Sequence, residues 1–114
     1  MSPSMSAPEG YLRVASRSDL PEKRGRMVIV GDDEVALWKV DGTVYAVDNL
    51  CPHQHAPALH MGRLSGLTIS CPMHGWTFSL LDGREESGFG RVRTRRVIVE
   101  GDDVYVEELR PSWS

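Results

Sequence analysis

Residues 51–53 read Cys-Pro-His and residues 71–76 read Cys-Pro-Met-His-Gly-Trp, and these two segments contain both cysteines of the chain. They form a C-x-H motif, seventeen intervening residues, and then a C-x-x-H motif. Each motif offers one thiolate and one imidazole, which are donors that transition metals prefer. Two cysteines that each have a histidine close by favour metal binding over a structural disulfide.

The sequence around these motifs predicts strands separated by turns. Asp41-Gly42 lies between two β-rich runs and is typical of a type I′ hairpin, because these residue types readily adopt positive φ angles. A second hairpin is predicted around residues 101–103, and further strands at residues 11–14, 26–30, 67–70 and 77–80. A single helical turn is predicted near residues 18–21, with Ser18 or Asp19 as its cap. The pattern predicts an all-β fold, an antiparallel sandwich or small barrel.

Length and composition exclude several classes of protein. At 114 residues the chain is one domain, placed at residues 11–109 between a disordered N-terminal tail (1–10) and a C-terminal tail (110–114). No apolar run approaches the roughly 20 residues of a membrane span, and the N-terminus lacks the features of a secretory signal. We therefore expect a cytoplasmic protein that does not cross a membrane. A net charge of -3 gives no basic excess for binding nucleic acid.

The double motif resembles that of the Rieske iron–sulfur proteins, and the resemblance extends from about Met27 to Glu107. It implies a Rieske-type antiparallel β-sandwich or small barrel with two cluster-binding loops. It also implies one 2Fe-2S cluster, in which two cysteines bind one iron and two histidines bind the other. The implied ligands are Cys51, His53, Cys71 and His74. The implied function is that of a soluble electron carrier rather than a complete enzyme.

This ligand set determines the charge of the cluster and hence its reduction potential. Two ferric ions, two sulfides and two thiolates are neutral together, whereas four thiolates would leave a negative cluster that resists reduction. Rieske centres accordingly have potentials of roughly −150 to +300 mV. High-potential members carry a disulfide between the loops and hydroxyl donors at the positions of Trp76 and Phe78, and this chain has neither. The resemblance therefore implies a potential at the low, ferredoxin-like end.

Three functions remain open from the sequence. The first is a ferredoxin that accepts electrons from a flavin-dependent reductase and delivers them to a terminal oxygenase. The second is the small subunit of an assimilatory nitrite reductase, bound to its large subunit; the absence of proline from residues 84–91 leans towards this group. The third, a minor alternative, is a zinc-bound interaction module. Its C-x-H spacing is tight, because about two to four residues commonly separate paired zinc ligands.

Other polar residues are explained more simply by solvation. His55 and His60 lie between the two motifs, and both are expected to be solvated loop histidines. Arg91, Arg93 and Arg95 alternate as on one face of a strand. That face could contact an acidic partner, but a solvated surface is the simpler expectation.

Overall fold

The structure, a computed structural model, describes residues 8–31, 33–49, 59–71, 77–86, 88 and 90–108. The strands within these residues are β1 (Tyr11–Ser16), β2 (Gly25–Val30), β3 (Asp33–Val40), β4 (Thr43–Asp48), β5 (Arg63–Ser65), β6 (Thr68–Ser70), β7 (Thr77–Ser79), β8 (Thr94–Arg95), β9 (Val97–Glu100) and β10 (Asp103–Glu107). The same residues contain two 3-10 turns, Arg17–Asp19 and Leu59–Met61. The predicted all-β fold is confirmed.

Two further expectations concern the chain ends and membranes. Most of the predicted tails, residues 1–7 and 110–114, lie outside the described residues. Pro8 begins a turn, because its carbonyl accepts the backbone N–H of Tyr11 at 3.0 Å. In the described part of the chain, no helix has the length and apolar character needed to cross a membrane.

The strands form three antiparallel sheets. One sheet has the order β2-β3-β4-β8, a second has the order β1-β10-β9, and a third, smaller sheet has the order β5-β6-β7. β4 and β8 are direct neighbours, with Val47 opposite Thr94. The chain between these two strands includes the whole small sheet and both cysteine motifs. Both motifs therefore lie in one long connection between two neighbouring antiparallel strands, β4 and β8.

β3 is the central strand because its two faces line different cores. Val35 and Leu37 pack between the four-stranded sheet and the β1-β10-β9 sheet. Ala36 and Trp38 face the other way, into a core shared with the small sheet. Burying a large apolar side chain stabilises a fold by about 1.5–3 kcal/mol. Both faces of β3 are buried, which explains why its sequence is an apolar run rather than an alternation of apolar and polar residues.

Both predicted hairpins are present. At Asp41 and Gly42 the φ angles are 52° and 82°, as a type I′ turn requires. β9 and β10 pair with Asp103 opposite Glu100, and Gly101 in their turn has a φ of 60°. Local turn chemistry thus determines both connections.

The details of the predicted helical turn are wrong. The turn is a 3-10 turn at Arg17–Asp19, and Ser16 in the N-cap position makes no side-chain cap bond. The Ser18 hydroxyl instead donates to a carboxylate oxygen of Asp102 at 2.8 Å. A charged acceptor from a distant turn takes the place of the local cap.

Candidate functional site

Cys71 is the one implied ligand among the described residues, since Cys51, His53 and His74 lie outside them. Cys71 follows β6 directly, and only 1% of its surface is exposed. It packs in the core beside the small sheet. A buried thiol on the first residue after a strand is held in one place, as a metal ligand requires.

The second loop, residues 72–76, lies at the end of the β6–β7 pair. Ser70 is opposite Thr77, and their hydroxyl oxygens are 3.2 Å apart, which adds a side-chain hydrogen bond at the base of the loop. On the other side of β7, the backbone N–H of Glu86 donates to the carbonyl of Thr77 at 2.8 Å. The base of the second loop is therefore held by neighbours on both sides.

The first loop, residues 50–58, is closed at its base by Asn49, which follows β4 and is fully buried. The backbone carbonyl of Asn49 accepts the N–H of Leu59 at 3.2 Å, and its own N–H donates to the carbonyl of Glu34 at 3.0 Å. Its side-chain Oδ1 accepts the backbone N–H of His60 at 2.7 Å. Both ends of the first loop are thus tied to one residue.

The bases of the two loops pack against each other. Leu59 and Cys71 belong to the same buried core. A Cβ built on Gly62 would lie only 2.4 Å from the carbonyl oxygen of Ser70, so the chain after the first loop touches the end of β6. By sequence, the two motifs each supply one thiolate and one imidazole, and the buried thiol of Cys71 lies in the core that also contains Leu59. Two thiolates and two imidazoles are the donor set of a Rieske-type 2Fe-2S centre, so the residue types fit that cluster.

His60 differs from the solvated histidine that the sequence predicts. It is half-buried, and its Nδ1 lies 3.1 Å from Oδ1 of Asn49. His55 lies outside the described residues. Sequence reasoning missed Asn49, because a buried asparagine and a solvated turn asparagine have the same local pattern. The one available signal was its position, directly after an apolar strand and two residues before Cys51.

Arg95 also differs from the expected solvated face. Its side chain is completely buried, with Nε 2.8 Å from Oδ1 of Asp48 and Nη2 2.7 Å from Oδ2 of Asp33. Arg91 and Arg93 are exposed, as expected. The expectation is therefore wrong for Arg95, because two carboxylates at the ends of β3 and β4 compensate the buried charge.

The displaced pKa values among the described residues belong to the β1-β10-β9 sheet and its turns. Hydrogen bonds from the Ser18 hydroxyl and backbone lower the pKa of Asp102. The hydrogen bond to Asp103 raises the pKa of Arg13, and burial raises the pKa of Tyr105. The carbonyl of Asp102 accepts a backbone bond from the 3-10 turn after β1, on the sheet that carries neither loop. These shifts concern the stability of the fold rather than the chemistry of the loops.

Known proteins are similar to this chain in both sequence and fold. Residues 10–95 match the family model described as the Rieske [2Fe-2S] domain. The chain is 33% identical over 101 residues to the ferredoxin component of a naphthalene 1,2-dioxygenase system from Pseudomonas aeruginosa, covering 87% of this chain and 96% of the relative.

Solved structures agree with these matches. The ferredoxin of carbazole 1,9a-dioxygenase from Nocardioides aromaticivorans IC177 has a TM-score of 0.83 and 30% identity, covering 89% of this chain and 100% of that one. A structure described as an NADPH nitrite reductase small subunit has a TM-score of 0.79 and 25% identity, covering 84% and 96%. The resemblance carried by the two motifs is confirmed.

Proposed function

Because the chain belongs to the Rieske [2Fe-2S] domain family, we propose that two cysteines and two histidines hold its cluster, namely Cys51, His53, Cys71 and His74. The chain is an electron carrier with one Rieske-type 2Fe-2S cluster, and two of its relatives, at 33% and 30% identity, are named as ferredoxins of dioxygenase systems. The observation that carries the ligand assignment is Cys71, a buried thiol where the bases of both loops meet.

The protein's own contribution is to hold the two loops. The cluster, when bound, accepts one electron and releases it again. Asn49 closes the first loop, and the Ser70–Thr77 pair closes the second. The two loops follow β4 and β6, whose Val47 and Ile69 pack in one core. We expect this core to hold the ligands in one geometry during electron transfer. As in the family pattern, the two thiolates are proposed to bind one iron and the two imidazoles the other.

A terminal oxygenase is the proposed electron acceptor. The sequence relative at 33% identity and the solved ferredoxin at 30% identity are both named as parts of dioxygenase systems. A flavin-dependent reductase is the proposed donor, because a flavin converts hydride transfer into single-electron steps that suit a one-electron carrier. We place this electron transfer in the cytoplasm, since both cysteines are assigned to the cluster and neither to a disulfide.

The small subunit of a nitrite reductase is the second candidate. It is favoured by the structural match at 25% identity and by the absence of proline from residues 84–91. The dioxygenase ferredoxins have the higher sequence identities, and we therefore prefer the oxygenase. The two candidates are distinguished by mixing the reduced protein with a purified oxygenase component or with a nitrite reductase large subunit. The faster reoxidation identifies the acceptor class.

The ligand assignment is tested by replacing the histidines one at a time. Anaerobically purified protein should contain two irons and two sulfides per chain and give a rhombic Rieske-type EPR signal after reduction with dithionite. His53→Ala and His74→Ala should each abolish that signal. The matched control, His55→Ala, should retain the signal and both irons. A colourless protein that holds stoichiometric zinc and takes up no cluster on reconstitution would establish the zinc-bound alternative instead.

A further inference from the structure

Asn49 makes five hydrogen bonds at the base of the first loop, all to described residues. Its backbone is bonded to Glu34 and to Leu59. Its side-chain Nδ2 donates to Oε1 of Glu34 at 3.3 Å. Its Oδ1 accepts the backbone N–H of His60 at 2.7 Å and lies 3.1 Å from Nδ1 of the same residue. One fully buried side chain therefore joins β3 to the 3-10 turn that follows the loop.

We propose that Asn49 is a positioning residue, which fixes the first loop and thereby the thiolate of Cys51 and the imidazole of His53. The inference rests on the proposed ligand set. Asn49 lies two residues before Cys51, so a displacement of Asn49 is transmitted through the backbone to the thiolate. His60, which follows the loop in the chain, is bonded to the same side chain, so Asn49 connects the residues on both sides of the loop.

The orientation of the Asn49 amide follows from its neighbours. The backbone N–H of His60 is an obligatory donor and therefore requires Oδ1 of Asn49. The amide nitrogen then faces the Glu34 carboxylate, which accepts when ionised. If the amide were rotated by 180°, its NH2 group would face the backbone N–H of His60 and its oxygen would face the carboxylate of Glu34. The same Oδ1 requires a hydrogen on Nδ1 of His60, which selects the ring tautomer.

The first test is Asn49→Ala, which removes the side-chain bonds and keeps the backbone ones. Groups that orient metal ligands typically change metal affinity by roughly 10–100-fold when they are lost. We expect iron release to a chelator to become about tenfold faster, the EPR signal to broaden and the reduction potential to shift. Circular dichroism should show that the strands are retained.

A rescue experiment separates positioning from general destabilisation. Asn49→Asp keeps both acceptor contacts with His60 but sets a carboxylate against that of Glu34. We expect this variant to release iron faster than the wild type. Adding Glu34→Gln supplies an amide donor and restores the hydrogen bond in the opposite direction. The double variant should therefore return towards the wild-type release rate and EPR signal.

The matched control is Ser18→Ala, which removes a side-chain hydrogen bond of 2.8 Å to Asp102 in a turn after β1. It should lower the unfolding temperature without changing iron release, EPR signal or potential. If Asn49→Ala changes only the unfolding temperature, as the control does, Asn49 is merely structural and the inference fails. An unsubstituted protein without a Rieske signal would overturn the ligand set instead, so the two failures are distinguishable.

Discussion

Arg95 Nε lies 2.8 Å from Oδ1 of Asp48, and the arginine side chain has no exposed surface. Its Nη2 lies 2.7 Å from Oδ2 of Asp33, and its Nη1 donates to the carbonyl of Glu107 at 3.2 Å. Because these residues belong to β8, β4, β3 and β10, one guanidinium connects four strands of two sheets. Asp48 is also the residue before Asn49. The network therefore fixes the end of β4 from which the first loop departs.

Arg95→Ala should lower the free energy of unfolding by about 2–3 kcal/mol. Removing one member of a buried ion pair typically costs about 3–5 kcal/mol. The loss is smaller here because Asp33 is 46% exposed and its carboxylate can be rehydrated. Urea denaturation of the purified variant measures the difference. Arg93→Ala is the matched control, because its side chain is 61% exposed and its Nε lies 3.6 Å from Asp48.

The control should change the free energy of unfolding by less than about 1 kcal/mol, as is usual for exposed pairs. Equal losses in Arg95→Ala and Arg93→Ala would contradict the role assigned to the buried network.

Asp102 should make the stability of the fold dependent on pH in the acid range. Hydrogen bonds from Ser18 hold the pKa of Asp102 below its ordinary value of about 3.9. Because the folded-state pKa is the lower one, the stabilisation is fully present above about pH 4 and is lost as the pH falls through the folded-state pKa. Wild type should therefore exceed Asp102→Asn in unfolding temperature at pH 7, with the difference shrinking towards pH 3. A difference independent of pH would refute the charge-dependent origin.

Gly62→Ala should force the bases of the two loops apart. Its Cβ would lie 2.4 Å from the carbonyl oxygen of Ser70, and backbone on both sides leaves little room to adjust. We expect a loss of about 1–3 kcal/mol in the free energy of unfolding, as for other overpacked sites. Iron release to a chelator should also accelerate. Ser65→Ala, at an exposed position of β5, serves as the control and should leave both quantities near wild type.

The reduction potential should lie near the low end of the roughly −150 to +300 mV range of Rieske centres. The high-potential members of the family carry a hydroxyl donor at the position of Phe78, which is fully buried in this chain. Phe78→Tyr should raise the potential on the order of tens of millivolts, because a new donor would stabilise the reduced, more negative cluster. Phe78→Leu, which adds no hydroxyl, should not. A redox titration followed by EPR measures both variants, and a wild-type potential near the upper end would contradict the expectation.

The parts of the fold that depend on local chemistry could be predicted from sequence. Asp41-Gly42 predicts its own turn, since both residue types tolerate the required positive φ angles. The β-rich run before Asp41 predicts the strand that is β3, and the two cysteine motifs carry the resemblance to the Rieske family. These features depend on near neighbours in the chain, which a single sequence displays.

The features that sequence reasoning missed depend on distant partners. β8 has only two residues, Thr94–Arg95, and exists through its pairing with β4. From its local sequence, Arg95 is expected to be solvated. The fold brings Asp33 and Asp48 beside it, and the side chain is buried. From its local sequence, Asn49 is likewise expected to lie in a turn. Its contacts with Leu59 and His60 come from the other side of the first loop. Long-range pairing determines which polar residues are buried, and a local pattern cannot display it.

The adjacency of β4 and β8 means that residues 49–93 form one connection between two neighbouring strands. Residues between Asp48 and Thr94 could be replaced by a short connection without breaking the register Val47–Thr94. Among the described residues, the core between the two larger sheets contains none from this connection. Without this connection, one face of β3 would lose its cover and Trp38 would be exposed to solvent. Trp38 therefore couples the stability of the two larger sheets to the segment that carries both cysteine motifs, because Leu59 and Phe78 of that segment share its core.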